Sequence, residues 1–124
     1  MHEYHTTQEL LDHTLEQARN SEAVEIAVVH VCIGELSSYT EESIRFYWDQ
    51  LSQGTPAEGA ALQFRTEKGG YYCGHCDTSV HSREILASCP LCGSASLAVT
   101  SGDSVYLEAL DIVPIEERSL SLDR

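Results

Sequence analysis

Two cysteine pairs, Cys73-Gly-His-Cys76 and Cys89-Pro-Leu-Cys92, are separated by twelve residues. A two-residue spacer lets both sulfurs of a pair turn toward one point, and a segment of this length can fold back to present the second pair. The pattern is that of a tetrahedral zinc site with four thiolate ligands. No thioredoxin-like βαβ pattern surrounds either pair, which argues against two redox centres. A second set of donors stands at the start of the chain, Met1-His2-Glu3. The α-amino group, the His2 amide nitrogen and the His2 imidazole form small fused chelate rings, and the Glu3 amide can complete a four-nitrogen plane. Square-planar nitrogen coordination suits Ni(II) or Cu(II) rather than zinc. Amide coordination requires proton loss, so affinity at such a site rises with pH. His5 lies close by as a further donor or an idle neighbour.

Composition bounds what these residues can serve. The chain has 124 residues, 42 % of them hydrophobic, which suits one domain carrying a small module. The formal charge is −13, and the first 67 residues hold 12 of the 20 acidic groups. Phosphate contacts need Lys and Arg, so a nucleic-acid partner is not expected; the cysteine segment offers only Lys68 and Arg83. No apolar run approaches the ~18 residues that span a bilayer, and the polar N-terminus does not read as a signal peptide. Cysteines reduced on a metal, with a fifth, Cys32, inside an apolar run, fit a cytoplasmic protein.

The elements that must carry these residues read as follows. A first helix is expected over 7–19, with Thr6 and Glu9 at capping-box spacing and Leu11, Leu15 and Ala18, with Leu10 beside them, as its core stripe. His13 falls on its solvated side. Residues 23–33 are dense in β-branched side chains and predict a buried strand, with Val29, Val31 and Ile33 on one face and His30 and Cys32 on the other. Thr40 should cap a second helix reaching about Gln53, with Ile44, Tyr47, Trp48 and Leu51 as its apolar face and Gly54 as its C-cap. Alternation over 60–66 predicts another strand. Tyr71-Tyr72 and 96–100 are short strand candidates flanking the metal, and 105–113 is a last strand. In that last strand Val105 and Leu107 are out of phase with Leu110 and Ile112, which requires a bulge near Glu108-Ala109.

The fold class expected is α+β: two helices packed on a three-stranded sheet, with an inserted zinc-ribbon-like module bearing four cysteines. The domains are then 1–67 plus 104–113, a zinc module over 68–103, and a polar tail over 114–124. Nothing in the chain supplies a nucleophile with its base, a phosphate loop or a dinucleotide fingerprint, so an enzyme is not expected. A zinc hydrolase would need an open coordination position, which four cysteines close.

Several stretches together resemble the HypA family of hydrogenase-maturation nickel chaperones, which includes HybF. They are MHE at the start, IGELSS at 33–38, EESIRFYWDQLSQGTPAEGAALQF at 41–64, CGHC, CPLCGS and the closing strand SVYLEALDIV. The resemblance spans roughly residues 1–113. It implies a chaperone that receives Ni(II) through Met1, His2 and Glu3 and helps deliver it to the large subunit of [NiFe]-hydrogenase. Zinc is then held by Cys73, Cys76, Cys89 and Cys92. A nickel-linked GTPase of the HypB type is the implied partner, and in some organisms the family also supplies urease. Tyr4 and His5 stand where members more often have an aliphatic residue and Ser. Asp77 and Gly93 stand where some members have a His after each second cysteine, so a histidine-based exchange of zinc ligands is not expected here. The alternative reading is a zinc-ribbon interaction module without nickel delivery; monomer and dimer both remain open.

Overall fold

The computed structural model describes residues 2–21 and 23–114. Met1, Glu22 and the tail from residue 115 onward lie outside the described residues, as do the side chains of His2, Ala23, Val24 and Pro114.

The first helix, α1 (His2–Asn20), starts five residues earlier than the capping signal suggests. The proposed cap Thr6 lies inside the helix. Thr7 explains why the helix runs on: its hydroxyl donates to the Glu3 carbonyl at 2.6 Å, four residues back, and the side chain is completely buried. Thr14 does the same toward the Leu10 carbonyl at 2.8 Å. A back-bonded threonine satisfies its polar atom locally and can then pack like a valine. Thr7 and Thr14 thereby join Leu10, Leu11 and Ala18 in a buried stripe that runs from Thr7 to Ala18. His13 is exposed, as expected.

β1 (Ala23–Gly34) is the central strand of a sheet ordered β2-β1-β6, where β2 is Ala61–Glu67 and β6 is Val105–Pro114. β2 runs parallel to β1 and β6 antiparallel. Ile26, Val29, Val31 and Ile33 face inward and are buried with Ile44 and Trp48. Those two residues come from α2 (Glu41–Leu51), which connects the parallel pair. Thr40 caps α2 through a reciprocal box with Ser43, and Glu41 and Glu42 occupy the first turn, where negative charge is favourable. The helix stops two residues short of the expected end. Its C-cap is Ser52, whose N–H reaches the Trp48 carbonyl at 2.9 Å, while Gly54 follows with φ +77° in the next turn.

The phase change in β6 is resolved as expected. Val31 pairs with Leu107 and His30 with Ala109, so Glu108 is the extra residue, and Leu107 and Leu110 both pack on the core. The outer face of this sheet is polar. Arg65 holds Glu108 through a two-pronged contact and donates to the Cys32 sulfur at 3.3 Å. Cys32 is completely buried beneath it, a small hydrophobe as read from the sequence.

A second sheet, ordered β4-β3-β5, stands between β2 and β6 in the chain: β3 (Gly70–Cys73), β4 (Thr78–His81) and β5 (Leu97–Ser101). The sequence pattern does not predict β4, because four residues of mixed polarity carry too little periodicity to register. The two sheets meet at a close backbone approach. Leu36 N–H donates to the Gly102 carbonyl at 2.7 Å, and a Cβ on Gly34 would lie 2.1 Å from that carbonyl oxygen. Only glycine fits at position 34. The architecture is α+β, two helices on a three-stranded sheet with a second three-stranded sheet bearing the cysteines.

Candidate metal centre

Cys73 ends β3 and Thr78 begins β4, so the first cysteine pair is the turn of a hairpin. The second pair lies on the long excursion between β4 and β5. Tyr71 pins that excursion: it is buried, its hydroxyl donates to the Glu84 carbonyl at 3.2 Å, and it accepts the Leu86 N–H at 3.1 Å. The Gly74 N–H bonds the Ser96 carbonyl at 2.9 Å and fastens the first turn to the end of the excursion.

Both turns reverse in the same way. The residue after each second cysteine has positive φ, Asp77 at 54° and Gly93 at 77°. A left-handed residue there reverses the chain as it leaves the turn, and Asp is among the few side chains that tolerate it. The Asp77 carboxylate is also the acceptor of the Tyr72 hydroxyl, which raises the tyrosine's pKa. In the second turn Gly93 N–H bonds the Cys89 carbonyl and Cys89 N–H the Ser94 carbonyl, both at 2.8 Å.

The four sulfurs converge. All lie within 4.8 Å of one another, with Cys73 to Cys92 at 3.7 Å and Cys76 to Cys89 at 3.8 Å. A Zn–S bond of about 2.3 Å in a regular tetrahedron places sulfurs about 3.8 Å apart. A disulfide would need about 2.05 Å. The donor set and spacing therefore fit one tetrahedral ion, and all four cysteines are free. Cys73 and Cys89 are buried, Cys76 half-buried and Cys92 exposed.

The protein prepares two of the thiols for ionisation. The Cys92 N–H, with that of Leu91, pulls Cys89 down from 9.0 to about 7. The Cys76 N–H, outweighing burial and aided by the His75 N–H, lowers Cys73. At Cys92 the Ser94 N–H favours the thiolate, yet partial loss of water around the sulfur of this otherwise exposed residue, together with the neighbouring sulfurs of Cys73, Cys89 and Cys76, outweighs it and pushes the thiol up to about 12. Four crowded thiolates repel one another, and a divalent cation at the centre removes that repulsion.

Among the described residues these four cysteines are the only cluster of His, Cys, Asp or Glu side chains close enough to hold a metal ion. His75 and His81 are exposed and do not join it; His81 Nδ1 lies 3.3 Å from the Gly69 carbonyl instead. Of the chain-initial donors, Met1 and the His2 side chain lie outside the described residues, while the His2 backbone opens α1. Glu3 is half-buried in the first turn and His5 is exposed. Beyond the cysteines, sequence reasoning missed the positioning roles of Tyr71 and Gly74. The adjacent Tyr71-Tyr72 marked a strand but not which ring turns inward.

Residues 1–112 match the family described as "Hydrogenase/urease nickel incorporation, metallochaperone, hypA". A hydrogenase maturation factor HypA from Caldanaerobacter subterraneus subsp. tengcongensis is 33 % identical over 113 residues, covering 90 % of this chain and 99 % of that protein. One from Acidithiobacillus ferrooxidans is 32 % identical over 112 residues, with the same shares covered. The solution structure of the Ni metallochaperone HypA from Helicobacter pylori shares the fold, with a TM-score of 0.72 at 23 % identity, over 90 % of this chain and 97 % of that one. A second solution structure of a HypA protein gives 0.70 at 25 % identity, over 91 % and 97 %. With the match running nearly end to end, this chain belongs to the HypA family of nickel-incorporation metallochaperones, a family of hydrogenase maturation factors and not of enzymes.

Proposed function

We propose that this chain binds Ni(II) through Met1, His2 and Glu3 and delivers it to the large subunit of [NiFe]-hydrogenase, with a HypB-type GTPase as its partner in the exchange. Residues 1–67 with 104–113 form the nickel-handling unit, 68–103 the zinc module, and 114–124 a tail. Zinc, held by Cys73, Cys76, Cys89 and Cys92, maintains the shape of the second sheet. The cytoplasm is the compartment, because thiolates remain available to a metal where thiols are kept reduced.

The observation that carries this reading is the start of α1 at His2. The first N–H groups of a helix have no carbonyl four residues back to accept them. The amide nitrogens of His2 and Glu3 are therefore unclaimed by the helix and free to lose protons to a metal. A bare cation is disfavoured at the positive end of a helix. Loss of two amide protons cancels the two charges of Ni(II), so the complex is electrically neutral and the helix end tolerates it. The roles of the two metals then differ by chemistry. Four sulfurs enclose zinc, while a nitrogen plane at the end of the chain can be unwrapped ligand by ligand by an acceptor.

The test is metal analysis of protein with an authentic Met1, with and without one equivalent of nickel. The expected result is one retained zinc and one exchangeable, diamagnetic nickel. His2→Ala should abolish stoichiometric nickel binding in calorimetry and leave the zinc content unchanged. Undiminished nickel affinity in that variant overturns the assignment.

A further inference from the structure

Four rings run in a row across the top of α1 and α2. His5 meets Tyr4 with ring centroids 5.9 Å apart, Tyr4 meets Tyr47 at 5.8 Å, and Tyr47 meets Phe46 at 5.2 Å, all close to perpendicular. Edge-to-face contacts of this kind favour this arrangement of the rings. The row is not core: Phe46 is 57 % exposed and Tyr4 37 %. A contiguous, largely apolar aromatic strip on a surface, rimmed by polar groups, has the character of an interaction site.

The rim is acidic. Glu42 and Asp49 lie four residues before and three after Phe46, which puts them on the same face of α2. Glu9 and Asp12 follow His5 by four and seven residues on α1. All four are exposed. Arg45, the one cation of α2, is turned away: it donates to the Leu62 carbonyl at 3.1 Å and stacks on Phe64 at 4.9 Å. Arg19 sits at the opposite end of α1.

This charge pattern selects the occupant. A second copy of the chain, docked face to face, would oppose acidic rim to acidic rim. Anionic lipid and nucleic acid are repelled for the same reason. We propose that the Tyr4–Phe46 row is a docking surface for a protein partner whose own apolar patch is ringed by Lys and Arg. Tyr4 directly follows residues 1–3, so a partner seated here has the chain-initial donors within reach. The inference rests on the nickel-delivery reading only for the choice of partners to probe.

The experiment measures binding of the purified HypB-type GTPase and of the purified hydrogenase large subunit to immobilised full-length chain, at low and raised salt. At least one should bind the wild type, more tightly at low salt. Phe46→Ala should weaken that binding at least about tenfold. The double variant Glu42→Lys, Asp49→Lys should weaken it as well and flatten its salt dependence. Trp48 emission checks that each variant is folded. Binding by neither probe, binding indifferent to Phe46→Ala, or a wild-type dimer that Phe46→Ala dissociates would each overturn the proposal. Nickel calorimetry on the same samples separates the two readings. Docking that depends on Phe46 without nickel uptake sinks the function and spares the surface; nickel uptake with indifferent docking does the reverse.

Discussion

The Glu35 carboxylate accepts the Gly69 N–H at 3.0 Å, tying the end of the central strand to the entry of the cysteine-bearing sheet. Its other oxygen lies 3.5 Å from Arg83 Nε, on the excursion that carries the second cysteine pair. Glu67 makes the matching contact at the exit, accepting the Gly102 N–H at 3.0 Å and the Tyr106 hydroxyl at 3.1 Å. Both chain crossings between the two sheets are thus closed by a carboxylate on a glycine amide. With Gly34 packed on Gly102, the junction behaves as a clamp rather than a free linker.

Disturbing the clamp should be costly in proportion to what cannot relax. Glu35→Ala removes the acceptor of a partly buried N–H and should cost about 1–3 kcal/mol. Gly34→Ala drives a Cβ against backbone at 2.1 Å and should cost at least as much, since a carbonyl cannot move aside as a side chain does. Urea unfolding at fixed zinc gives both numbers. Amide exchange at Gly69 should quicken in Glu35→Ala, and unchanged exchange there would show that the contact does not hold the entry.

Chelation of the zinc proposed for the four cysteines, or Cys89→Ser, should unravel β3, β4 and β5 and leave the helical sheet standing. The core of Val29, Val31, Ile44 and Trp48 takes nothing from the cysteine segment. Structural zinc contributes on the order of 10–16 kcal/mol of binding free energy, which so small a sheet has no other source for. Far-UV circular dichroism should show lost strand signal while Trp48 emission stays in place; a shift to exposed-tryptophan emission would refute the separation.

Zinc affinity should increase with pH. Binding must displace any proton still carried by the sulfurs, and Cys92, held up to about 12 before metal arrives, keeps its proton at neutrality. Cys89, held at about 7, becomes protonated as pH falls through that value and competes with the ion. Competition against a chelator at pH values on either side of neutral should show retention on the alkaline side and stripping on the acidic side.

The Arg65–Glu108 pair sets a separate acid dependence. The hydrogen bond that Arg65 donates holds the Glu108 carboxyl below the usual carboxylate range. The folded chain therefore binds this proton less readily than the unfolded chain. The contribution is present above about pH 4.5 and fades as pH falls through the depressed value. Urea midpoints of wild type and Glu108→Gln should differ at neutral pH and converge in acid; a gap that persists in acid would assign the effect to the bulge and not to the ion pair.

Much of the molecule was legible before folding because its signals are local. The cysteine spacing announces a tetrahedral site, Thr40 announces its helix, and the slip between Leu107 and Leu110 announces the bulge at Glu108, since a period-two strand has no other way to keep both inside. The family likeness lay in contiguous runs such as IGELSS and GTPAEGA. Other features depended on groups far apart in the chain. Thr6 and Glu9 have capping spacing and so point to a later start for α1, whereas burial of Thr7 carries the helix back to His2; burial outweighs a cap worth about 1 kcal/mol. β4 exists because β3 offers it a partner, not because Thr78–His81 prefers extension. Glycine at 34 is required by Gly102, sixty-eight residues away, and Arg65 finds Glu108 because the sheet order sets β2 and β6 on either side of β1. Sequence alone determined which residues bear metal-binding chemistry and the rhythm of the elements, because both are encoded within a few residues. Tertiary structure alone decided where the helix begins, how the two sheets are clamped and which rings stay bare, because each depends on packing between segments that meet only in the folded chain.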